Sequence, residues 1–75
     1  MIAYANLSGE SPIVAYRCGA GYIDVAFRDG GVYRYTHASA GKRRVAQMQR
    51  LAETGRGLAS YISREAHDRY DRRRG

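Results

Sequence analysis

The clearest pattern in the chain is an alternation of apolar and polar residues on either side of a glycine turn. Ile23, Val25 and Phe27 alternate with polar or small residues before the turn, and Tyr33 and Tyr35 repeat the alternation after it. A period of two places each set on one face of a strand, as expected for strands with one buried face. The pattern predicts a β-hairpin whose five large side chains share a face.

The turn decides how the two strands pair. We expect a three-residue loop at residues 29–31, with Gly31 in the left-handed conformation. That loop would place Phe27 opposite Tyr33. A two-residue loop would instead shift the pairing and split the apolar face.

One more strand precedes the hairpin. The apolar run at residues 13–18 is bounded by a proline and a glycine, and its side chains Val14 and Tyr16 are expected to face the core. Together with strands at residues 22–28 and 32–36, it predicts a three-stranded antiparallel sheet, because neighbours in sequence usually pair.

Two helical patterns follow the sheet. The first runs from residue 39 or 41 to residue 54, repeats apolar residues at the helical period and ends at Gly55. The second begins near Leu58 and carries an apolar stripe that reaches Tyr70. The predicted fold class is α+β, with the three-stranded sheet covered on one face by the two C-terminal helices in the order βββαα.

The chain is short enough for a single domain. We expect a flexible N-terminal segment at residues 1–11, one folded domain at residues 12–71 and a frayed basic tail at residues 72–75. A domain of this size buries only about 60% of the surface that its unfolded chain exposes. Self-association is therefore an open possibility.

Positive charge is concentrated in the second half of the chain. Residues 1–40 carry three basic and three acidic side chains, whereas residues 41–75 carry ten and four, so the whole net charge of +6 lies there. Nine of those ten cations are arginines, whose planar donor fork suits phosphate and stacks on bases. This placement favours a nucleic acid as partner, although an ordinary solvated helical surface with a basic tail would show the same charges.

Residue types that carry catalysis or bind metals form no motif. Cys18 is the single cysteine, so it cannot form an internal disulfide, and it suits a reducing cytoplasm. His37 and His67 lack the spacing of zinc ligands, and no serine lies in a nucleophile elbow. We expect no enzyme, no cofactor and no metal site. Since no apolar run approaches the length of a membrane span, we expect a cytoplasmic protein without membrane contact.

A series of short motifs runs from residue 11 to residue 70. In order, it contains a Tyr late in the first strand, an alternating strand that ends in Phe, a Gly turn, a Tyr-x-Tyr pair, and a late Gly followed by Tyr and basic residues. The residues are Tyr16, residues 23–27, Gly30, Gly31, Tyr33, Tyr35, Gly57, Tyr61, Arg64 and Tyr70. This series resembles the KTSC family, a small domain found alone in bacterial and phage proteins and appended to some lysyl-tRNA synthetases. The resemblance implies no established activity and suggests RNA binding. Ser63, Ala66 and His67 depart from the Asn, larger aliphatic and basic residues usual in that family.

The sequence therefore predicts a small non-enzymatic module that binds RNA, or nucleic acid in general, through arginine contacts to phosphate from the C-terminal helices. Tyr61 joins the cations as a candidate for stacking on a base. The candidate binding residues are Lys42, Arg43, Arg44, Arg50, Arg56, Tyr61, Arg64, Arg69, Arg72, Arg73 and Arg74. The alternative is a protein-interaction module whose basic surface docks an acidic partner or whose sheet edge pairs with another chain. A homodimer is compatible with either function.

Overall fold

A computed structural model describes residues 1–74 and confirms an α+β fold with an antiparallel sheet. The sheet has five strands in sequence order, each antiparallel to its neighbours. The strands are β1 (Ile2–Ala3), β2 (Ile13–Gly19), β3 (Tyr22–Phe27), β4 (Val32–Thr36) and β5 (Arg72–Arg74). The helices are α1 (His37–Ala40), α2 (Lys42–Thr54) and α3 (Leu58–Tyr61), and α3 continues into a π-helical turn, Ile62–Ala66.

The expectation of three strands was wrong, because a short strand is added at each edge of the sheet. β1 comes from the segment expected to be flexible, and β5 comes from the segment expected to be a frayed tail, whose last residue, 75, lies outside the described residues. Both strands are two or three residues long and lack an alternating apolar pattern. Such edges form by pairing with a neighbouring strand, and they commonly carry charge. A local sequence pattern does not reveal them.

The N-terminal segment also contributes to the core. The side chain of Tyr4 is only 6% exposed. Its backbone N–H donates to the carbonyl of Val14 at 3.0 Å, and its hydroxyl accepts from the N–H of Leu58 at 3.4 Å. Farther along, the N–H of Leu7 donates to the carbonyl of Gly55 at 2.8 Å. The segment is thereby tied both to the sheet and to the joint between α2 and α3.

The hairpin forms, with a register two residues from the expected one. Val25 lies opposite Tyr33, the glycine with positive φ (97°) is Gly30, and the N–H of Phe27 donates to the carbonyl of Gly31 at 2.8 Å. The predicted left-handed Gly31 and the predicted pairing of Phe27 with Tyr33 were therefore wrong. Because the shift is even, every side chain keeps its face, and the apolar face survives.

A β-bulge changes which side of β2 meets the core. The register shifts between Ile13 and Ala15, so that Ile13 and Tyr16 are buried while Val14 is 46% exposed. The expectation that Val14 faces the core was wrong, because a bulge inserts one residue and reverses the alternation beyond it. Tyr16 faces the core as expected, and burial raises the pKa of its hydroxyl.

The apolar face of the sheet and the buried faces of the helices enclose one core. Gly41 separates α1 from α2, and α2 ends at Gly55 as expected, with Gly55 in the left-handed conformation. The largest fully buried side chains are Ile13, Ile23, Val25, Tyr35, Val45, Met48 and Leu58. Within residues 1–74, the helices are all too short or too polar to cross a membrane.

The last helical segment is shorter than the sequence suggested. Helical structure ends at Ala66, and Tyr70, expected in a helical stripe, lies beyond it. The chain turns back because the N–H of Asp71 donates to the carbonyl of Arg34 at 2.6 Å, which starts the pairing of β5 with β4. Tyr70 packs the edge of its ring against Tyr33, with ring centroids 4.9 Å apart.

Candidate nucleic-acid interface

The arginines and the lysine expected on the helices do not share one role. Arg44 is engaged with the backbone: its Nε donates to the carbonyl of Glu65 at 2.8 Å, and its Nη1 donates to the carbonyl of Ala40 at 3.2 Å. Its side chain therefore ties the start of α2 to the π-helical turn. Arg64 lies 3.5 Å from the carboxylate of Glu65 on the exposed side of that turn.

The other predicted residues are dispersed over several elements. The exposed cations on and after α2 are Lys42, Arg43, Arg50 and Arg56, and Arg69 is exposed in the segment before β5. Tyr61 is half-buried and packs against the core, which limits its use as an exposed stacking ring. Arg72, Arg73 and Arg74 lie on β5 rather than on a helix, which corrects their expected placement.

Strand pairing brings charged residues together on the face of the sheet away from the helices. Arg17 lies opposite Asp24, Asp24 opposite Arg34, and Arg34 opposite Arg72. These four residues therefore form a row that crosses β2, β3, β4 and β5 at right angles to the strands. Arg74, two residues beyond Arg72, is on the same side because side chains of a strand alternate between its faces.

An ion pair fixes the middle of this row. Arg34 donates from Nε to Oδ1 of Asp24 at 2.7 Å and from Nη2 to Oδ2 at 2.9 Å, a bidentate arrangement. Asp24 is 4% exposed, whereas the guanidinium of Arg34 reaches the surface over the ring of Tyr22, 4.3 Å from its centroid. The hydrogen bond with Asp24 raises the pKa of Arg34. Arg34 therefore presents a fixed charge.

A shallow trough lies along the row. On the same face, two residues along each strand, a second row pairs Ala15 with Ala26, Ala26 with Val32 and Val32 with Arg74. The trough has a volume of about 400 Å³. The residues that line it are Met1, Arg17, Asp24, Val32, Arg34, Arg72 and Arg74. We call this surface, defined by Arg17, Asp24, Arg34, Arg72 and Arg74, the arginine face.

The arginine face has the composition of an anion-binding surface. It carries four guanidinium groups against the one buried carboxylate of Asp24. A second acidic side chain, that of Asp71, lies at the end of the row, where its carboxylate is 3.9 Å from Nε of Arg72. Guanidinium groups hold phosphate or carboxylate through paired hydrogen bonds, and they stay protonated near neutral pH. Among residues 1–74, no three His, Cys, Asp or Glu side chains are placed to hold a metal ion.

Two members of the arginine face, Arg17 and Arg34, were missed in the sequence. The signal was present, because the alternation that buries Tyr16 and Tyr35 puts their neighbours Arg17 and Arg34 on the opposite face. The charge count pointed instead to the second half of the chain. The sequence does not indicate that β5 joins the sheet, so it gives no basis for placing cations from the two halves of the chain on one surface.

Comparison of the chain with protein-family models, with curated proteins and with solved structures gave no match. The resemblance to the KTSC family therefore stays a prediction.

Proposed function

We propose that this chain is a small non-enzymatic module that binds nucleic acid, RNA in the first place, through phosphate contacts, and that the arginine face makes those contacts. The observation that carries the proposal is the row in which Arg17, Arg34 and Arg72 are aligned by strand pairing. Arginine is the side chain best suited to phosphate, because its fork matches two oxygens at once.

The spacing of the row suits an extended polyanion. Neighbouring strands are about 4.8 Å apart, so the Cα atoms of Arg34 and Arg72 are separated by about that distance and those of Arg17 and Arg34 by about twice as much. A small anion would use one or two of these groups, whereas a phosphate backbone laid across the strands reaches all of them. The trough along the row leaves room for the sugars beside the backbone.

RNA is preferred over DNA in this proposal because of the resemblance to the KTSC family. The dispersed cations of α2, such as Arg43 and Arg50, would add a general attraction that depends on salt. They would not define the path of the ligand.

A second candidate function is supported by the position of β5. This strand lies at the edge of the sheet and consists of three arginines. An extended acidic segment of another protein could pair with such an edge and neutralise its charge. Pairing of β5 with its copy in a second molecule would instead bring like charges together, which disfavours a homodimer through this edge.

The decisive experiment compares two double variants that lose the same charge. Arg17→Ala with Arg72→Ala changes the arginine face, and Arg43→Ala with Arg50→Ala changes α2. Arg34 and Arg44 are left alone because each holds a neighbouring group in place. Binding of a labelled single-stranded RNA is measured by fluorescence anisotropy at about 50 mM and about 200 mM salt.

We expect the variant with Arg17→Ala and Arg72→Ala to lose about tenfold in affinity. The negative slope of log K against log salt should become shallower by about 1.4, since each phosphate contact on a single strand contributes about 0.7. The α2 variant should change affinity far less. An equal or larger loss in the α2 variant would move the interface to the helices. Absence of binding by the unmodified protein at low salt would reject the nucleic-acid function and favour the acidic protein partner.

A further inference from the structure

A second concave site lies on the helix side of the sheet, away from the arginine face. Its aromatic wall is formed by Phe27, Tyr33 and Tyr35, and its opposite wall includes Ile62 of the π-helical turn. The volume is about 300 Å³. Polar side chains of Asp29, Ser63 and His67 stand among its lining residues. We call this site the aromatic pocket.

The rings of the aromatic pocket support one another at right angles. Phe27 meets Tyr33 with centroids 5.3 Å apart and an interplanar angle of 77°. Tyr70 meets Tyr33 at 81° and Tyr35 at 89° from the outer side. Edge-to-face contacts of this kind are favourable and restrict ring rotation. The pocket therefore has a preformed apolar wall rather than one that must assemble around a ligand.

A positive charge stands beside this wall. Arg73 lies opposite Tyr33 in the pairing of β5 with β4, and its guanidinium is 5.4 Å from the centroid of the Tyr33 ring. Side chains alternate along β5, so Arg72 and Arg74 belong to the arginine face while Arg73 belongs to the side of the pocket. The edge strand thus offers cations on both faces of the sheet.

We propose that the aromatic pocket accepts one nucleobase and that Arg73 binds the phosphate of the same nucleotide. The inference rests on the proposed function and adds to it a subsite for a base. The volume corresponds to the smallest ligand pockets of proteins, which suits a single planar ring system better than a larger ligand. An aromatic wall with polar groups at its margin can contact the face of a base and hydrogen-bond its edge.

A bound single strand would have only a short way to run from the arginine face to the aromatic pocket. A single strand bound to Arg72 and Arg74 has to pass around only β5, the outermost strand, to reach Arg73. A base inside a duplex is stacked and paired and cannot enter a pocket without being extruded. The aromatic pocket therefore implies a preference for single-stranded nucleic acid.

The test uses two ligands of equal charge. One is a labelled single-stranded oligoribonucleotide of about ten nucleotides, and the other is an oligomer of the same length whose sugars carry no bases. Ser63→Phe would fill the aromatic pocket from its exposed margin. Ser60→Phe is the matched control, because Ser60 is exposed on the preceding turn and does not line this pocket. Anisotropy gives the affinity of each protein for each ligand.

We expect the unmodified protein and Ser60→Phe to bind the base-bearing oligomer at least about fivefold more tightly than the abasic one, the lower end for stacking of one base. Ser63→Phe should bind both ligands equally, at the abasic affinity. A preference for bases that persists in Ser63→Phe would overturn the inference while leaving the arginine face intact, and so would equal binding of both ligands by the unmodified protein. Failure to bind either ligand would reject the proposed function itself.

A second measurement covers the case in which Ser63→Phe does not fold. In NMR spectra of the unmodified protein, the chemical shifts of the ring protons of Phe27 and Tyr33 should change on addition of the base-bearing oligomer and should not change with the abasic one. Shifts confined to residues of the arginine face with both ligands would contradict a base in the aromatic pocket.

Discussion

Replacement of Tyr4 by alanine tests whether the N-terminal segment is part of the folded domain. The ring is buried between the sheet and the helical layer, and the hydroxyl accepts from the N–H of Leu58 at 3.4 Å. Truncation of a buried aromatic side chain to alanine costs about 3 to 5 kcal/mol. The long hydrogen bond adds little, because typical net contributions are about 0.5 to 1.5 kcal/mol at good geometry.

This loss is large against the total stability of so small a domain. At about 0.05 to 0.15 kcal/mol per residue, 75 residues correspond to a free energy of unfolding of about 4 to 11 kcal/mol. Tyr4→Ala should therefore remove about a quarter of the free energy of unfolding or more. Urea unfolding followed by circular dichroism gives the difference, provided that the dependence of the free energy on urea is unchanged.

Two control variants separate burial from other effects of the substitution. Tyr4→Phe keeps the ring and removes the hydroxyl, so we expect a loss below about 1 kcal/mol. Leu7→Ala changes an exposed apolar residue in the same segment and should cost less than about 0.5 kcal/mol. If Tyr4→Ala also costs less than about 1 kcal/mol, residues 1–11 do not form part of the core and the reasoning is refuted.

Three further predictions concern the ion pair, a glycine and pH. Arg34→Leu should cost about 3 to 5 kcal/mol in urea unfolding because it leaves the buried carboxylate of Asp24 unpaired, and Arg34→Leu with Asp24→Leu should recover most of it; no recovery would contradict this account. Gly55→Ala should lower the melting temperature by roughly 10 °C, because φ is 83° and a Cβ there would lie 2.6 Å from that of Ala5; an unchanged melting temperature would argue against this contact. Burial raises the pKa of Tyr35 to about 12. The contribution of its neutral hydroxyl to the free energy of unfolding is therefore complete below about pH 10 and is lost as the pH rises towards 12, at about 1.4 kcal/mol per pH unit. Urea unfolding at about pH 9 and about pH 11 should show this loss in the unmodified protein and a smaller one in Tyr35→Phe, and equal losses would count against it.

The parts of the fold that depend only on the period of the apolar residues could be predicted from the sequence. Strands β3 and β4 and their shared apolar face followed from alternation, and the face survived an error of two residues in register because the error was even. The position of the left-handed glycine was not predictable from Gly30-Gly31, since either residue can adopt it. The bulge in β2 depends on the partner strand, so the exposure of Val14 could not be read from the chain.

The candidate site was less predictable than the fold. Counting charges located the excess in residues 41–75 but gave no information on which cations share a surface. Arg72 was recognised as basic and was assigned to a helix or tail, because nothing local in three successive arginines indicates a strand. Arg17 and Arg34 were assigned no role because they balance acidic residues nearby in sequence. The pairings of β2 with β3 and of β3 with β4 align Arg17 with Arg34, and the pairing of β4 with β5 adds Arg72.

The order of charged residues in the row limits the electrostatic repulsion among its arginines. Like charges directly opposite one another on paired strands are destabilising. Asp24 stands between Arg17 and Arg34 and screens that contact, whereas Arg34 and Arg72 are direct neighbours with no carboxylate between them in the row. A phosphate bound at this position would reduce their repulsion as well as accept their hydrogen bonds. Under the proposed function, this phosphate is expected to accept from the N–H groups of Arg34 that Asp24 leaves unused, while Asp71, 3.9 Å from Nε of Arg72, already offsets part of the charge at the edge strand.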